Sequence, residues 1–216
     1  MAGRRCYGRR VKQAAHVLAS VSSLVLLFAL AARAGETVVL PLAVHVVVAA
    51  EGDVVPDGFV AERVARANEI FAPHGVSFVV VETVPLAGKH AALETRADRD
   101  ALGVYAKRGV IDCFVVRSLR DVDDPREQRR GVHWRSQTHE GARYVIISSI
   151  AGTNVLAHEL GHYLGNHAHS EVAGNLMSYT AGEGLPVLDE KQQKRLSRTV
   201  RELLKSGELT AHAGER

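Results

Sequence analysis

The sequence predicts one domain of mixed α/β or α+β class, built on a largely parallel sheet. Three observations carry that reading. Runs rich in β-branched residues recur along the chain, segments of helical period separate them, and no internal repeat or long linker interrupts the order. The length of 216 residues suits one domain or two small ones. With 46% hydrophobic and 24% charged residues the chain can fold on its own core. That composition excludes collagen-like, low-complexity and wholly disordered classes.

The elements follow in order. Val38–Ala50 is nearly continuously apolar and β-branched, which marks a buried strand. In Phe59–Phe71 the apolar residues Val60, Val64, Ala67 and Ile70 recur at helical spacing, and Pro73 and Gly75 end the helix. Val76–Val84 and Ile111–Val116 are further strands, and Arg96–Lys107 reads as a polar helix closed by Gly109. Arg117–Arg130 is charged, contains Pro125 and reads as an exposed loop. Gly131–Arg135 fits a short edge strand and Tyr144–Ile150 another strand. Thr153–Leu164 reads as a helix, and residues 165–187 as irregular, with Gly165, Gly174, Gly182, Gly184 and Pro186. The last helix spans about Asp189–Lys205. Asp189 with Gln192 resembles a capping box, and Leu196, Val200, Leu203 and Leu204 form its apolar stripe.

The first 34 residues read as an address. Arg4, Arg5, Arg9, Arg10 and Lys12 precede an apolar run at roughly Val17–Ala32, which ends in Ala32-Arg33-Ala34. A basic start, a short apolar stretch and a small-x-small end describe a secretory signal peptide. The apolar run is shorter than the ~20 residues of a membrane span. Residues 35–216 are then the exported domain, periplasmic or extracellular, with no stable membrane insertion after cleavage. The first strand begins close behind Gly35, which leaves no room for a long pro-segment. Of the 27 Lys and Arg, six lie in residues 1–34 with none of the 24 acids, leaving 21 basic against 24 acidic residues and a formal charge of −3. The net charge of +3 for the whole chain therefore belongs to the leader, and nothing points to nucleic acid. Cys113 alone remains outside the leader, within an apolar strand, as a buried thiol. No heptad pattern suggests a partner, so a monomer is expected.

The chemistry concentrates at His158-Glu159-Leu160-Gly161-His162. Residues i and i+4 share a helix face, so both imidazoles can address one ion, with Glu159 beside them to hold a water. Leu156, Leu160, Tyr163 and Leu164 line the face that packs inward, and Gly161 permits close approach on a third side. A chance match in a chain of this size is on the order of 1%. Gly165 suits a left-handed helix end. His167 and His169 follow, then Asn175-Leu176-Met177-Ser178-Tyr179.

Over residues 158–179 the sequence resembles the metzincin clan of zinc metallopeptidases, whose pattern is HExxHxxGxxH followed by a methionine turn. The resemblance implies a metzincin-like α+β catalytic domain, with a mixed, mostly parallel twisted sheet, an active-site helix and a C-terminal helix. It implies one catalytic Zn2+ held by His158, His162 and a third histidine, and a peptide or protein substrate. Glu159 would be the general base that activates a water for peptide-bond hydrolysis. Met177 would be the turn methionine beneath the metal, and Tyr179 would stabilise the oxyanion. Substrate would add as a strand along Tyr144–Ser149 or Gly131–Arg135. The sequence departs from the clan at the third histidine, where Ala168 stands in register. His169 is preferred to His167 because the longer loop turns back to the ion with less strain. Two rival readings are a carboxylate third ligand, Glu171 or Glu183, and a non-catalytic zinc-binding domain with a degenerate site.

His45, His74, His90, His133 and His139 stand alone in sequence and read as surface or satisfied core residues. Asp121, Asp123 and Asp124 lack calcium-loop spacing and read as a solvated turn. Trp134 reads as structural, with a groove-lining role as the alternative.

Overall fold

The computed structural model describes residues 37–213, so the leader assigned to residues 1–34 lies outside the described residues. Strands β1 (Val38–Ala49) and β2 (Gly52–Asp53) form a short hairpin, followed by helix α1 (Phe59–Phe71) and β3 (Val76–Ala87). After β4 (Ala92–Leu93) come helix α2 (Arg96–Asp100), β5 (Ile111–Val116) and β6 (Ser118–Leu119). Strands β7 (Gly131–Arg135) and β8 (Arg143–Ser148) precede helices α3 (Val155–Tyr163) and α4 (Glu190–Lys205). Among the described residues no helix is long and apolar enough to cross a membrane.

The main sheet runs β3-β1-β5-β8-β7, with β2 appended to β1. The β3–β1, β1–β5 and β5–β8 pairs are parallel, and β7 lies antiparallel to β8 as an edge. Alternation splits each central strand between two cores. Ile111, Cys113, Val115, Val145 and Ile147 face the layer made by α1, α3 and α4. Phe114, Val116, Tyr144 and Ile146 face a smaller core with Leu93, Leu102, Leu119 and Trp134. Every residue of β5 is buried, which is why its sequence shows no polar alternation. Burial pushes the Cys113 thiol up to about 12. Arg63 of α1, itself buried, donates to Phe59 O and Ala151 O, and so ties α1 to the turn that leads into α3.

Three local expectations change. The polar helix expected over Arg96–Lys107 stays α-helical only to Asp100 and tightens to a 3-10 helix over Ala101–Tyr105. There Gly103 passes under His139, whose ring lies 2.8 Å from where a Cβ would stand. The loop Arg117–Arg130 is not wholly exposed, since Leu119 and Asp121 are buried. The Asp121 carboxylate accepts from the backbone N–H groups of Asp123 and Asp124 and from Arg129, which makes a folded turn rather than a solvated one. Finally, β8 is an interior strand, leaving only β7 of the two expected substrate strands at an edge.

Candidate metal centre and active site

Helix α3 is amphipathic in the sense its spacing predicts. Leu156, Leu160, Tyr163 and Leu164 are buried in the main core, and His158 and His162 lie on the other side, in a cleft of about 910 Å3. Gly165, at φ +100°, ends the helix: its N–H bonds to His162 O and that of Asn166 to Gly161 O. This pair of bonds is a Schellman motif, and the left-handed residue it needs favours glycine. A Cβ at Gly165 would also stand 2.3 Å from Thr199 Oγ1 of α4, so the reversal is pressed against the C-terminal helix.

The reversal returns the chain to the cleft. His169 Nε2 lies 3.2 Å from His162 Nε2, which lies 3.1 Å from His158 Nε2. One ligand atom of each residue falls within 4.8 Å of the others. His169 is therefore the third histidine brought to this point. His167 is turned away against His133, with ring centroids 6.4 Å apart. Glu171 and Glu183 are exposed and outside the cluster.

The hydrogen bonds of the triad decide what it can hold. His158 Nδ1 donates to Leu176 O at 2.7 Å and His162 Nδ1 to Asn166 O at 2.8 Å. Each neutral ring then presents a lone pair at Nε2. Lone pairs facing one another at such a distance repel unless a cation lies between them. Tetrahedral coordination at ~2.0–2.1 Å places nitrogens ~3.3 Å apart, close to the separations seen. The donor set thus fits a zinc ion. Burial lowers the pKa of all three rings, that of His162 to about 4, with the neighbouring His158 as the next cause.

The loop after His169 supports the triad from below. Met177 is fully buried, and its Sδ lies 2.6 Å from where a Cβ on Gly161 would stand, so the glycine makes room for the sulfur. Ser170 N–H donates to Met177 O, and Met177 N–H to Asn175 Oδ1. Asn175 and Gln192 exchange amide hydrogen bonds at 2.8 and 3.0 Å. Gln192 also closes the capping box of α4 with Asp189. Tyr179 is 72% exposed, and its ring centroid lies 4.3 Å from that of His169 and 5.8 Å from that of His158.

Glu159 is 6% exposed and lines the cleft. Burial raises its pKa to about 8, opposed by the His133 backbone N–H and by the Arg129 charge. A dication in the triad would add a stronger opposing field and favour the carboxylate. Gly131 opens β7 next to this side chain. A Cβ there would stand 2.9 Å from Glu159 Cγ and 2.6 Å from Val155 Cγ1.

Two cleft residues escape sequence reasoning. His133 packs on the Tyr163 ring at 5.6 Å, has a buried Nε2 without a partner, and is held neutral by burial, its pKa lowered to about 3. Arg129 lines the cleft with Tyr179 and is fixed by Asp121. Neither belongs to a motif, and the turn that brings Arg129 in is built by Asp121 through backbone bonds. Trp134 is both structural and cleft-lining: its Nε1 donates to Asp100 at 2.7 Å, and Arg99 stacks on its ring.

The fold is shared with solved metallopeptidase structures. Mirolysin in complex with a compound, compound 9, superposes with a TM-score of 0.59 at 13% identity, over 82% of this chain and 99% of that one. Mature mirolysin of Tannerella forsythia, in complex with a cleaved peptide, gives 0.56 at 14% identity over 82% and 99%. Metalloproteinase-II from Bacteroides fragilis gives 0.50 at 12% identity, over 76% of this chain and 53% of that chain. The chain therefore has the mixed α+β fold of metzincin-like metallopeptidases. No protein-family model and no curated protein matches its sequence.

Proposed function

We propose that the chain is an exported zinc-dependent endopeptidase. The single observation that carries this reading is the convergence of three imidazole Nε2 atoms beside the buried carboxyl of Glu159, in an open cleft under a free strand edge. His158, His162 and His169 would hold the ion. Zinc bound there supplies Lewis-acid chemistry and lowers the pKa of a water to ~7.

The chain's own groups supply the rest. A peptide lies along β7, whose position at the edge of the sheet lets it take an added strand. Glu159 accepts the proton of the attacking water and passes it to the leaving amine. Its burial favours the protonated form that the second half of this cycle needs. Tyr179, whose ring lies tilted against that of His169, donates its O–H to the carbonyl oxygen as charge develops. The leader read from residues 1–34 supports export to the periplasm or the medium.

Zinc content per chain tests the ligand set. The wild type and His167→Ala should each carry one ion, and His169→Ala should carry none at the same pH. Zinc lost from His167→Ala and kept in His169→Ala would move the ligand. Glu159→Ala should keep zinc and lose peptidase activity by about 10²–10⁴-fold. Full activity in that variant would end the assignment.

A further inference from the structure

The catalytic cleft continues past His167. A second groove of about 520 Å3 opens there, and His167 lines both. Its walls come from β7, β8 and α4 and carry Arg135, Arg143, Arg195 and Arg198 against Glu202 and Glu208. Arg143 pairs with Glu208, and Arg198 reaches Glu202 only at 3.8 Å. Arg135 and Arg195 have no carboxylate partner among the described residues; Arg195 donates to Asn166 Oδ1. The groove therefore carries a net positive charge.

Arg143 adds to that charge from within the wall. Its side chain is only 9% exposed, stacks on the Tyr163 ring at 4.3 Å, and keeps a guanidinium nitrogen, Nη2, with no partner. The exposed guanidinium of Arg135 is the one open to a ligand, and a carboxylate matches a guanidinium in shape and charge.

Strand β7 connects this groove to the scissile position. Val132 and Trp134 belong to the smaller core, so Gly131, His133 and Arg135 face α3. Gly131 abuts Val155 and Glu159, and His133 abuts Tyr163 one helical turn further on. Strand and helix thus run alongside each other, and Arg135 lies four residues, ~13 Å, beyond the strand position next to Glu159.

We propose that this groove is an anion subsite of the peptidase, which takes an acidic side chain of the substrate two to four residues from the scissile bond. The proposal rests on the peptidase reading above. The residue recognised is Asp or Glu on the substrate flank that lies toward Arg135.

The test uses the zinc-loaded protein and a cleavable peptide with Gln at every position within four residues of the scissile bond. Each Gln is replaced in turn by Glu. Glu on one flank should raise kcat/KM about tenfold, an advantage that falls with salt. The Glu/Gln ratio, read within each variant, should fall to about one in Arg135→Gln and below one in Arg135→Glu. Arg135 is exposed, so both variants should fold. No preference on either flank, or a preference unchanged by both variants, overturns the proposal. Binding of labelled Glu and Gln peptides to zinc-loaded Glu159→Ala, read by fluorescence anisotropy, separates the two readings. If no peptide is cleaved but Glu peptides bind tighter and lose that advantage in Arg135→Glu, the peptidase reading fails and the subsite stands.

Discussion

The triad joins two regions built by different means. Helix α3 delivers His158, Glu159 and His162 from a packed apolar layer, where Leu156, Leu160 and Leu164 are at most 1% exposed. Residues 165–187 deliver His169, Met177 and Tyr179 without any helix or strand. They are held by particular polar bonds: Ser170 to Met177, Asn175 to Met177, and the amide pair Asn175–Gln192. The comparison shows that a side chain can be positioned either by burial or by a satisfied polar network. The first is non-directional and tolerant, whereas the second depends on a few bonds, each of which matters.

Leu160→Ala strikes the apolar region and should have the largest effect on stability, about 2–5 kcal/mol, seen in chemical denaturation. The protein that remains folded should still bind one zinc. A loss of zinc at unchanged stability would mean that the helix is not held by its core.

Gly161→Ala tests the contact between the regions. The new methyl meets Met177 Sδ, and overpacking of this kind costs about 1–3 kcal/mol. In Met177→Ala the sulfur is gone, so the same glycine change should cost much less. Additive effects in that double-mutant cycle would show that helix and loop are not coupled there.

Asn175→Ala leaves the Gln192 amide and Met177 N–H without their partner. It should cost about 1–3 kcal/mol or somewhat less if water enters. Its effect should appear mainly in zinc affinity, because the same turn supplies Leu176 O to His158. An unchanged zinc dissociation constant would remove the network from the account.

Elements that rest on period were legible in the sequence. The helix Phe59–Phe71 and the strands Ile111–Val116 and Gly131–Arg135 have the bounds read from helical spacing and from short apolar or edge-strand runs. Gly165 and the Asp189–Gln192 capping box were readable because each expresses a local backbone requirement. The cleft was only partly legible. The histidine pair on α3 shows in its spacing, but Arg129 enters through an aspartate-built turn with no period at all. His133 looks solitary in sequence because its neighbours, Tyr163 and His167, come from segments about 30 residues away. The basic groove is assembled from β7, β8 and α4, and no single stretch of sequence displays it.

Gln192 serves two structures with one side chain. It completes the first turn of α4 and grips Asn175, whose turn braces His158. The first turn of the C-terminal helix and the loop that carries His169 are thereby linked through one side chain. A cation held by the histidines would then lend free energy to a helix well removed from them in sequence. Zinc should slow proteolysis and amide exchange within Glu190–Lys205, so the C-terminal helix becomes a reporter of metal occupancy.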